Sequence, residues 1–155
     1  MKKILYLFFI PILFYGCSYS RSFYIINYSN SSIQLSYQIN SLNYREQNFF
    51  GAKPFIYNMD KKKDEIIYKE VSYEFSLDTL TKTIKLELKP NQAVYVGGVA
   101  GTYRPNDLRQ RNEITKNINR LIIVTNLDTL VCTKNIIPEL FSKTKEELIY
   151  GLYIH

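Results

Sequence analysis

The sequence predicts an all-β protein: a single antiparallel β-sandwich with one or two short helical turns. Three segments carry the evidence, because apolar and polar residues alternate along residues 33–39, 71–77 and 84–88. Alternate side chains of a strand point to opposite faces of a sheet, so each segment has one buried and one solvated face. This pattern is typical of antiparallel sheets that face water on one side.

Five more continuously apolar segments are predicted to be central strands: 23–28, 93–99, 121–125, 130–133 and 149–154. Turn-forming triplets separate several of these segments: 29–31, 89–91 and 126–128. The two strands on either side of residues 126–128 are expected to form a hairpin. Seven or eight strands at this spacing predict an immunoglobulin- or transthyretin-like sandwich.

Helical signals are few. Pro138 is expected to begin a short helical turn, because proline is tolerated at the first helical position. Residues 105–119 form the longest polar connection and are expected to hold a short helix after Pro105. Residues 58–65 are rich in lysine and aspartate, and we expect them to form an exposed hairpin tip.

The first sixteen residues have the features of an export signal. Lys2 and Lys3 precede an apolar run over residues 4–15, which is shorter than the roughly 20 residues of a membrane-spanning helix. Gly16 and Cys17 then lead directly into polar residues. This arrangement resembles the lipobox of bacterial lipoproteins, and the resemblance implies cleavage before Cys17 and acylation of its thiol.

These signals divide the chain into a signal peptide that is removed (1–16), a lipidated tether (17–22) and a sandwich domain (23–155). Two acyl chains suffice for stable anchoring, so we expect the mature protein to be tethered to a membrane without spanning it. Ser18 follows the cysteine in place of aspartate, which in lipoproteins is compatible with sorting to the outer membrane. The expected location is therefore the bacterial cell envelope, at the outer membrane and facing the periplasm.

The remaining composition gives no sign of catalysis. The net charge of +6 includes no long block of like charge, so no nucleic-acid partner is expected. The single histidine, His155, is the last residue, which removes most Ser-His-Asp and Cys-His arrangements because the base would sit on a terminus, and leaves no histidine cluster for zinc. We expect no enzyme activity, no cofactor and no metal. Cys132 lies in an apolar stretch and is expected to be a small buried hydrophobe.

Residues 94–105 are the most distinctive stretch, rich in glycine and followed by a basic loop over residues 104–120. One interpretation is a bulged strand with close backbone packing; the other is a platform for a partner. The loop is expected to be an ordinary solvated loop; the functional alternative is docking to an acidic partner or to phosphorylated headgroups, because arginine favours bidentate contact with carboxylate or phosphate. The candidate partner-binding residues are Gly97, Gly98, Gly101, Tyr103, Arg104, Arg109 and Arg111.

Part of this stretch resembles a motif of the outer-membrane lipoprotein family of type VI secretion systems. In that family a strand reading roughly Gly-Val-Val-Ala is followed by an aromatic residue and an arginine. The matching residues here are Gly98, Val99, Ala100, Tyr103 and Arg104. The resemblance implies a lipid-anchored β-sandwich that docks a periplasm-spanning complex to the outer membrane and is not an enzyme. This chain lacks the tryptophan that the family carries in the following loop.

The sequence thus predicts a membrane-anchored, non-catalytic envelope lipoprotein that binds or scaffolds another envelope protein. Three narrower alternatives stay open. They are a type VI secretion docking lipoprotein, an immunity or inhibitor lipoprotein that neutralises a toxin, and an envelope hydrolase or ligand carrier.

Overall fold

A computed structural model of the protein describes residues 20–43 and 49–155. Within them, eleven strands form two sheets, accompanied by one α-helix and one short 3-10 turn. The six-stranded sheet has the order β10-β11-β1-β7-β3-β4. Its strands are β1 (Ser20–Asn27), β3 (Phe55–Asp60), β4 (Glu65–Glu70), β7 (Gln92–Ala100), β10 (Ser142–Lys143) and β11 (Ile149–Ile154).

The five-stranded sheet has the order β5-β6-β2-β8-β9. Its strands are β2 (Ile33–Ile39), β5 (Phe75–Asp78), β6 (Thr83–Leu88), β8 (Ile118–Val124) and β9 (Thr129–Thr133). The helix α1 (Leu108–Thr115) connects the two sheets between β7 and β8, and the 3-10 turn spans Ile137–Leu140. The predicted helix after Pro105 and the predicted turn at Pro138 are both confirmed.

The main core lies between the two sheets, which confirms the predicted all-β sandwich. Every second residue of β2 and β6 is buried there, as the alternation predicts. The six-stranded sheet contributes an aromatic centre around Phe23, which is fully buried. Rings packed on Phe23, with centroids 4.9–5.2 Å away, belong to Phe49, Tyr103, Phe141 and Tyr150.

The predicted strand over residues 71–77 is wrong as a single element. Only Phe75 and Leu77 lie on a strand, because β4 ends at Glu70 and β5 begins at Phe75. Residues 71–74 carry the chain from one sheet to the other. Val71 donates its N–H to the carbonyl of Ile56 (3.0 Å), and the Tyr73 hydroxyl donates to the carbonyl of Pro54. The apolar period continues through the crossing because Val71 and Tyr73 pack against the core there.

Two further details differ from the expected sandwich. The pairing of β1 with β11 is parallel, whereas the other pairs are antiparallel. β1 also begins at Ser20, so residues 20–22 are not tether but strand. Ser20 pairs with Ala100 of β7, and Ser22 donates its N–H to the carbonyl of Leu148 (2.9 Å). Because of these contacts, the strand begins three residues before its apolar segment.

A second, smaller core covers the outer face of the six-stranded sheet. We call it the tyrosine face, because Tyr24, Tyr28, Tyr57, Tyr95 and Tyr153 belong to it together with Ile26, Met59, Ile66, Ala93 and Ile149. The β3–β4 hairpin folds over this face. Asp64 at its tip accepts hydrogen bonds from the hydroxyls of Tyr28 and Tyr153 and from the N–H of Lys145. This face explains how a β1 segment without polar alternation is buried on both sides.

Candidate functional site

The predicted partner-binding segment runs from the end of β7 through a loop to α1, and it is rigidly held. Asp107 caps α1, accepting from the N–H groups of Arg109 (2.9 Å) and Gln110 (3.3 Å). The buried side chain of Gln110 accepts from the N–H of Arg104 (2.6 Å) and donates to the carbonyl of Thr102 (2.8 Å). The loop therefore presents its exposed side chains from a fixed backbone.

The three predicted glycines are required by the conformation or the close packing of the backbone. Gly97 is buried and has a φ of +149°, a backbone conformation that residues other than glycine rarely adopt. It also forms an isolated antiparallel β-bridge with Phe49. A Cβ on Gly98 would lie 2.9 Å from the carbonyl oxygen of Arg21. Gly101 is exposed with a φ of +79° and turns the chain out of β7. The interpretation as close backbone packing therefore applies to Gly97 and Gly98.

Tyr103 and Arg111 also have partners inside the protein. The Tyr103 ring packs on Phe23 and Tyr150 at centroid distances of 4.9 and 4.8 Å, and its hydroxyl donates to the carbonyl of Pro138 (2.6 Å). Burial raises the pKa of Tyr103 to about 12. Arg111 pairs with Glu139 (2.9 Å) and donates to the carbonyl of Asn135 (2.8 Å). Both side chains tie α1 and its loop to the 3-10 turn.

The exposed cations of the segment are Arg104, Arg109 and Lys116, and we call this surface the basic end. Arg109 and Lys116 line an open depression of about 620 Å³ together with Ala100, Asn112 and Glu113. Arg111–Glu139 is the one ion pair found in the part of the chain that the structure describes. Of the predicted residues, Arg104 and Arg109 thus keep free guanidinium groups at the surface. Gly97, Tyr103 and Arg111 instead make contacts within the protein.

A second candidate surface, which the sequence analysis missed, is the outer edge of β9. It is the last strand of the five-stranded sheet, and it reads Thr-Leu-Val-Cys-Thr without charge, proline or glycine. Leu130 and Val131 are 42% and 44% exposed, and Leu127 in the preceding turn is 96% exposed. The sequence shows only an apolar run; that the run lies at an edge follows from the topology.

The other three sheet edges carry the features by which proteins block unwanted strand pairing. β10 has two residues, one of them Lys143. β5 has four residues and ends with Asp78. β4 is longer, but it carries Glu65, Lys69 and Glu70 and contains a register shift opposite β3. By comparison β9 is unprotected.

The backbone of β9 offers hydrogen bonds to an additional strand. Thr125 donates its N–H to the carbonyl of Asp128 (2.9 Å), which closes the β8–β9 hairpin. Hydrogen-bonded and non-hydrogen-bonded pairs alternate from that point, and Val131 falls opposite Ile122 in a non-hydrogen-bonded pair. The N–H and C=O of Val131 therefore point away from β8, toward the open edge.

Cys132 is buried in the core, whereas His155 lies at the surface beside two tyrosine rings. Cys132 is 1% exposed and its pKa is raised by burial, which confirms the prediction of a small buried hydrophobe. His155 packs against the rings of Tyr28 and Tyr153, with centroids 6.0 and 6.2 Å away. In the described ranges, no three His, Cys, Asp or Glu side chains form a group that could hold a metal ion.

Another open depression lies on the outer face of the five-stranded sheet. It has a volume of about 630 Å³, and hydroxyl and amide groups line it together with Lys85, Asp78 and Arg120. This lining suits small polar ligands. The groups lie on four adjacent strands of a solvated face.

The predicted signal peptide and the acylation site Cys17 lie outside the described residues. Within residues 20–43 and 49–155, no helix combines the length and the apolar character that crossing a bilayer requires. No protein-family model, curated protein or solved structure matches the chain.

Proposed function

We propose that the chain is a membrane-anchored, non-catalytic lipoprotein of the bacterial cell envelope. Its sandwich binds an extended segment of another envelope protein along the edge of β9. The observation that carries this proposal is the unprotected β9 edge, where uncharged residues, exposed apolar side chains and outward-pointing backbone groups coincide. Cys17, acylated after export, holds the domain at the membrane.

The β9 edge selects its partner by backbone and side-chain chemistry. An added strand exchanges backbone hydrogen bonds with Val131 and packs a side chain beside Val131 on the outer face of the sheet. Leu130 points to the opposite face of the sheet, where the next side chain of the added strand would cover it. Asp128 and Lys134 stand just beyond the two ends of β9. The best-fitting segment is therefore extended, apolar at its centre and flanked by charges complementary to these two.

The direction of β9 favours a different protein over a second copy as the occupant. The Asn27 side chain donates to the carbonyl of Leu88 (2.8 Å), so the end of β1 lies beside the end of β6. Pairing from β6 through β2 and β8 places Thr129 at that same end. β9 therefore runs back toward Ser20, the side of the anchor. Antiparallel pairing of two β9 strands would point two anchors in opposite directions, whereas neighbouring copies share one membrane.

The identity of the partner distinguishes two narrower versions of this function. A secretion-system docking lipoprotein would hold a component of a membrane-spanning complex. An immunity lipoprotein would hold one toxin and show a phenotype only in its presence. Both versions use a protein–protein contact.

Replacing Val131 with lysine is expected to abolish partner binding without unfolding the domain. Lysine on an edge strand blocks strand addition, and the outward side chain of Val131 leaves the β8–β9 ladder intact. We expect at least about a tenfold loss, because two backbone hydrogen bonds of roughly 1 kcal/mol each are lost. The measurement is photo-crosslinking in native membranes from a benzoylphenylalanine at residue 129, followed by mapping of the attached peptide.

The matched control places lysine at Ser76, on the exposed face of the opposite edge strand β5. The proposal predicts one dominant partner peptide, attached in the wild type and in Ser76→Lys and missing in Val131→Lys. Equal crosslinking in all three proteins would contradict the β9 site. A Cys17→Ala version run in parallel reports whether the contact depends on the anchor.

A further inference from the structure

The basic end lies at the same end of the sandwich as the attachment point of the chain. Ser20 at the start of β1 pairs with Ala100, the last residue of β7, and Arg21 pairs with Val99. Residues 101–107 and α1 follow directly from Ala100. The side chains of Arg104, Arg109 and Lys116 therefore project from the end at which β1 starts.

The tether between the anchor and this end is short. Three residue steps separate Cys17 from Ser20, and an extended chain spans at most about 3.3–3.6 Å per residue. If Cys17 sits at the headgroups of the bilayer, Ser20 is held within roughly 10 Å of them. This distance is about one Debye length at physiological salt, so surface charges at this end act on the membrane.

The charges at the basic end are free to act. Arg104, Arg109 and Lys116 are exposed, whereas Arg111 is neutralised by Glu139. Within the basic end, Asp107 caps α1 and Glu113 is half-buried beside Arg109. At the same end of the sandwich, Glu146 and Glu147 line a depression with Ser20, and Lys143 and Lys145 lie next to them in the sequence. Counted together with Arg104, Arg109 and Lys116, the five cations exceed the four carboxylates by one.

We infer that the basic end docks on anionic phospholipid headgroups and orients the sandwich on the membrane. This inference rests on the anchoring of Cys17 in the proposed function. Guanidinium and ammonium groups near the surface attract the phosphates of anionic lipids, and the tether keeps them in range. The docked orientation places the Thr133 end of β9 toward the bilayer and leaves the β9 edge open to the side.

The test measures binding of the unacylated protein to vesicles. It uses the mature chain from residue 17 with Cys17→Ala, which retains every strand and helix of the described residues because β1 begins at Ser20. Cosedimentation is compared between vesicles of phosphatidylcholine alone and vesicles containing phosphatidylglycerol. We expect binding to the phosphatidylglycerol vesicles only, and we expect added salt to weaken it.

Two charge-reversal pairs assign this binding to the basic end. Arg104→Glu with Arg109→Glu is expected to lower the partition coefficient by roughly 25-fold or more, since each cation near the surface contributes on the order of fivefold. Lys62→Glu with Lys63→Glu changes the net charge equally at the β3–β4 tip, outside the basic end, and should change the partition coefficient little. Circular dichroism checks that both double variants are folded. The salt dependence of binding is measured without these substitutions, so it tests the inference even if a double variant does not fold.

The inference is overturned by equal binding to both vesicle types, or by equal losses in the two charge-reversal pairs. Neither result touches the proposed function, because that is read from crosslinking at β9 and from acylation of Cys17. Conversely, a failure of β9 crosslinking leaves the vesicle measurement valid. The two ideas therefore fail separately.

Discussion

Replacing Phe23 with alanine is expected to lower the free energy of unfolding by about 3–5 kcal/mol, the usual cost of truncating a buried aromatic side chain. Phe23 is fully buried and contacts the rings of Phe49, Tyr103, Phe141 and Tyr150. These rings come from distant parts of the chain, so no single neighbour can move to fill the cavity. Each edge-to-face contact adds to the loss beyond simple burial.

Urea unfolding followed by circular dichroism measures this loss. Leu80→Ala is the matched control, since Leu80 is 93% exposed and its truncation should change stability by less than about 0.5 kcal/mol. A Phe23→Ala protein within 1 kcal/mol of the wild type would show that the aromatic centre does not hold the sheets together. Phe23→Leu fills part of the cavity without restoring the ring contacts, so it should recover only part of the lost free energy of unfolding.

Replacing Asn27 with alanine is expected to cost about 2–4 kcal/mol, because a buried polar hub is removed and its partners stay behind. Asn27 is fully buried at the end of β1, and its amide donates to the carbonyls of Ser31 and Leu88, both at 2.8 Å. Its side-chain oxygen accepts from the N–H and the hydroxyl of Ser29. The bond to Leu88 joins the two sheets, so its loss loosens the turn and the sandwich together.

The same urea titration tests this prediction, with Asn30→Ala as the control in the same turn, where Asn30 is exposed. Asn27→Asp keeps the acceptor for Ser29, removes the two donors and buries a carboxyl group against the carbonyls of Ser31 and Leu88. We expect Asn27→Asp to be destabilised at least as much as Asn27→Ala. Wild-type stability in Asn27→Asp would contradict a role for the Leu88 bond.

Much of the sandwich was predictable because its inner strands follow a two-residue period. β2 and β6 alternate strictly, and β11 spans the predicted residues 149–154. Turn chemistry is equally local. Asn91 takes a positive φ of 57° after Pro90, and the hairpin at 126–128 forms as its residues indicate.

Long-range features were not predictable. The split at residues 71–74 was missed because Val71 and Tyr73 keep the apolar period while the chain crosses between sheets. The parallel pairing of β1 with β11 leaves no local trace in either strand. The tyrosine face likewise depends on the β3–β4 hairpin folding over the sheet, which is set by Asp64 and its tyrosine partners.

The candidate site shows the same division between local and long-range information. The sequence draws attention to residues 97–111, but a single sequence does not distinguish an arginine that serves the fold from one that faces solvent. Arg111 reaches the carbonyl of Asn135 and pairs with Glu139, far along the chain, whereas Arg104 and Arg109 stay exposed. The β9 edge was missed because strand order decides which apolar strand lies outermost.

Both proposals depend on the anchor, and the N-terminus of the mature protein tests it most directly. Protein purified from native membranes would be digested with trypsin, which cuts after Arg21, and its N-terminal peptide would be analysed by mass spectrometry. We expect a peptide that begins at Cys17 and carries diacylglycerol on the thiol, and we expect the Cys17→Ala protein to be lost from the washed membranes. A peptide that begins elsewhere, or a free Cys17 thiol in a protein that washes off the membrane, would contradict it.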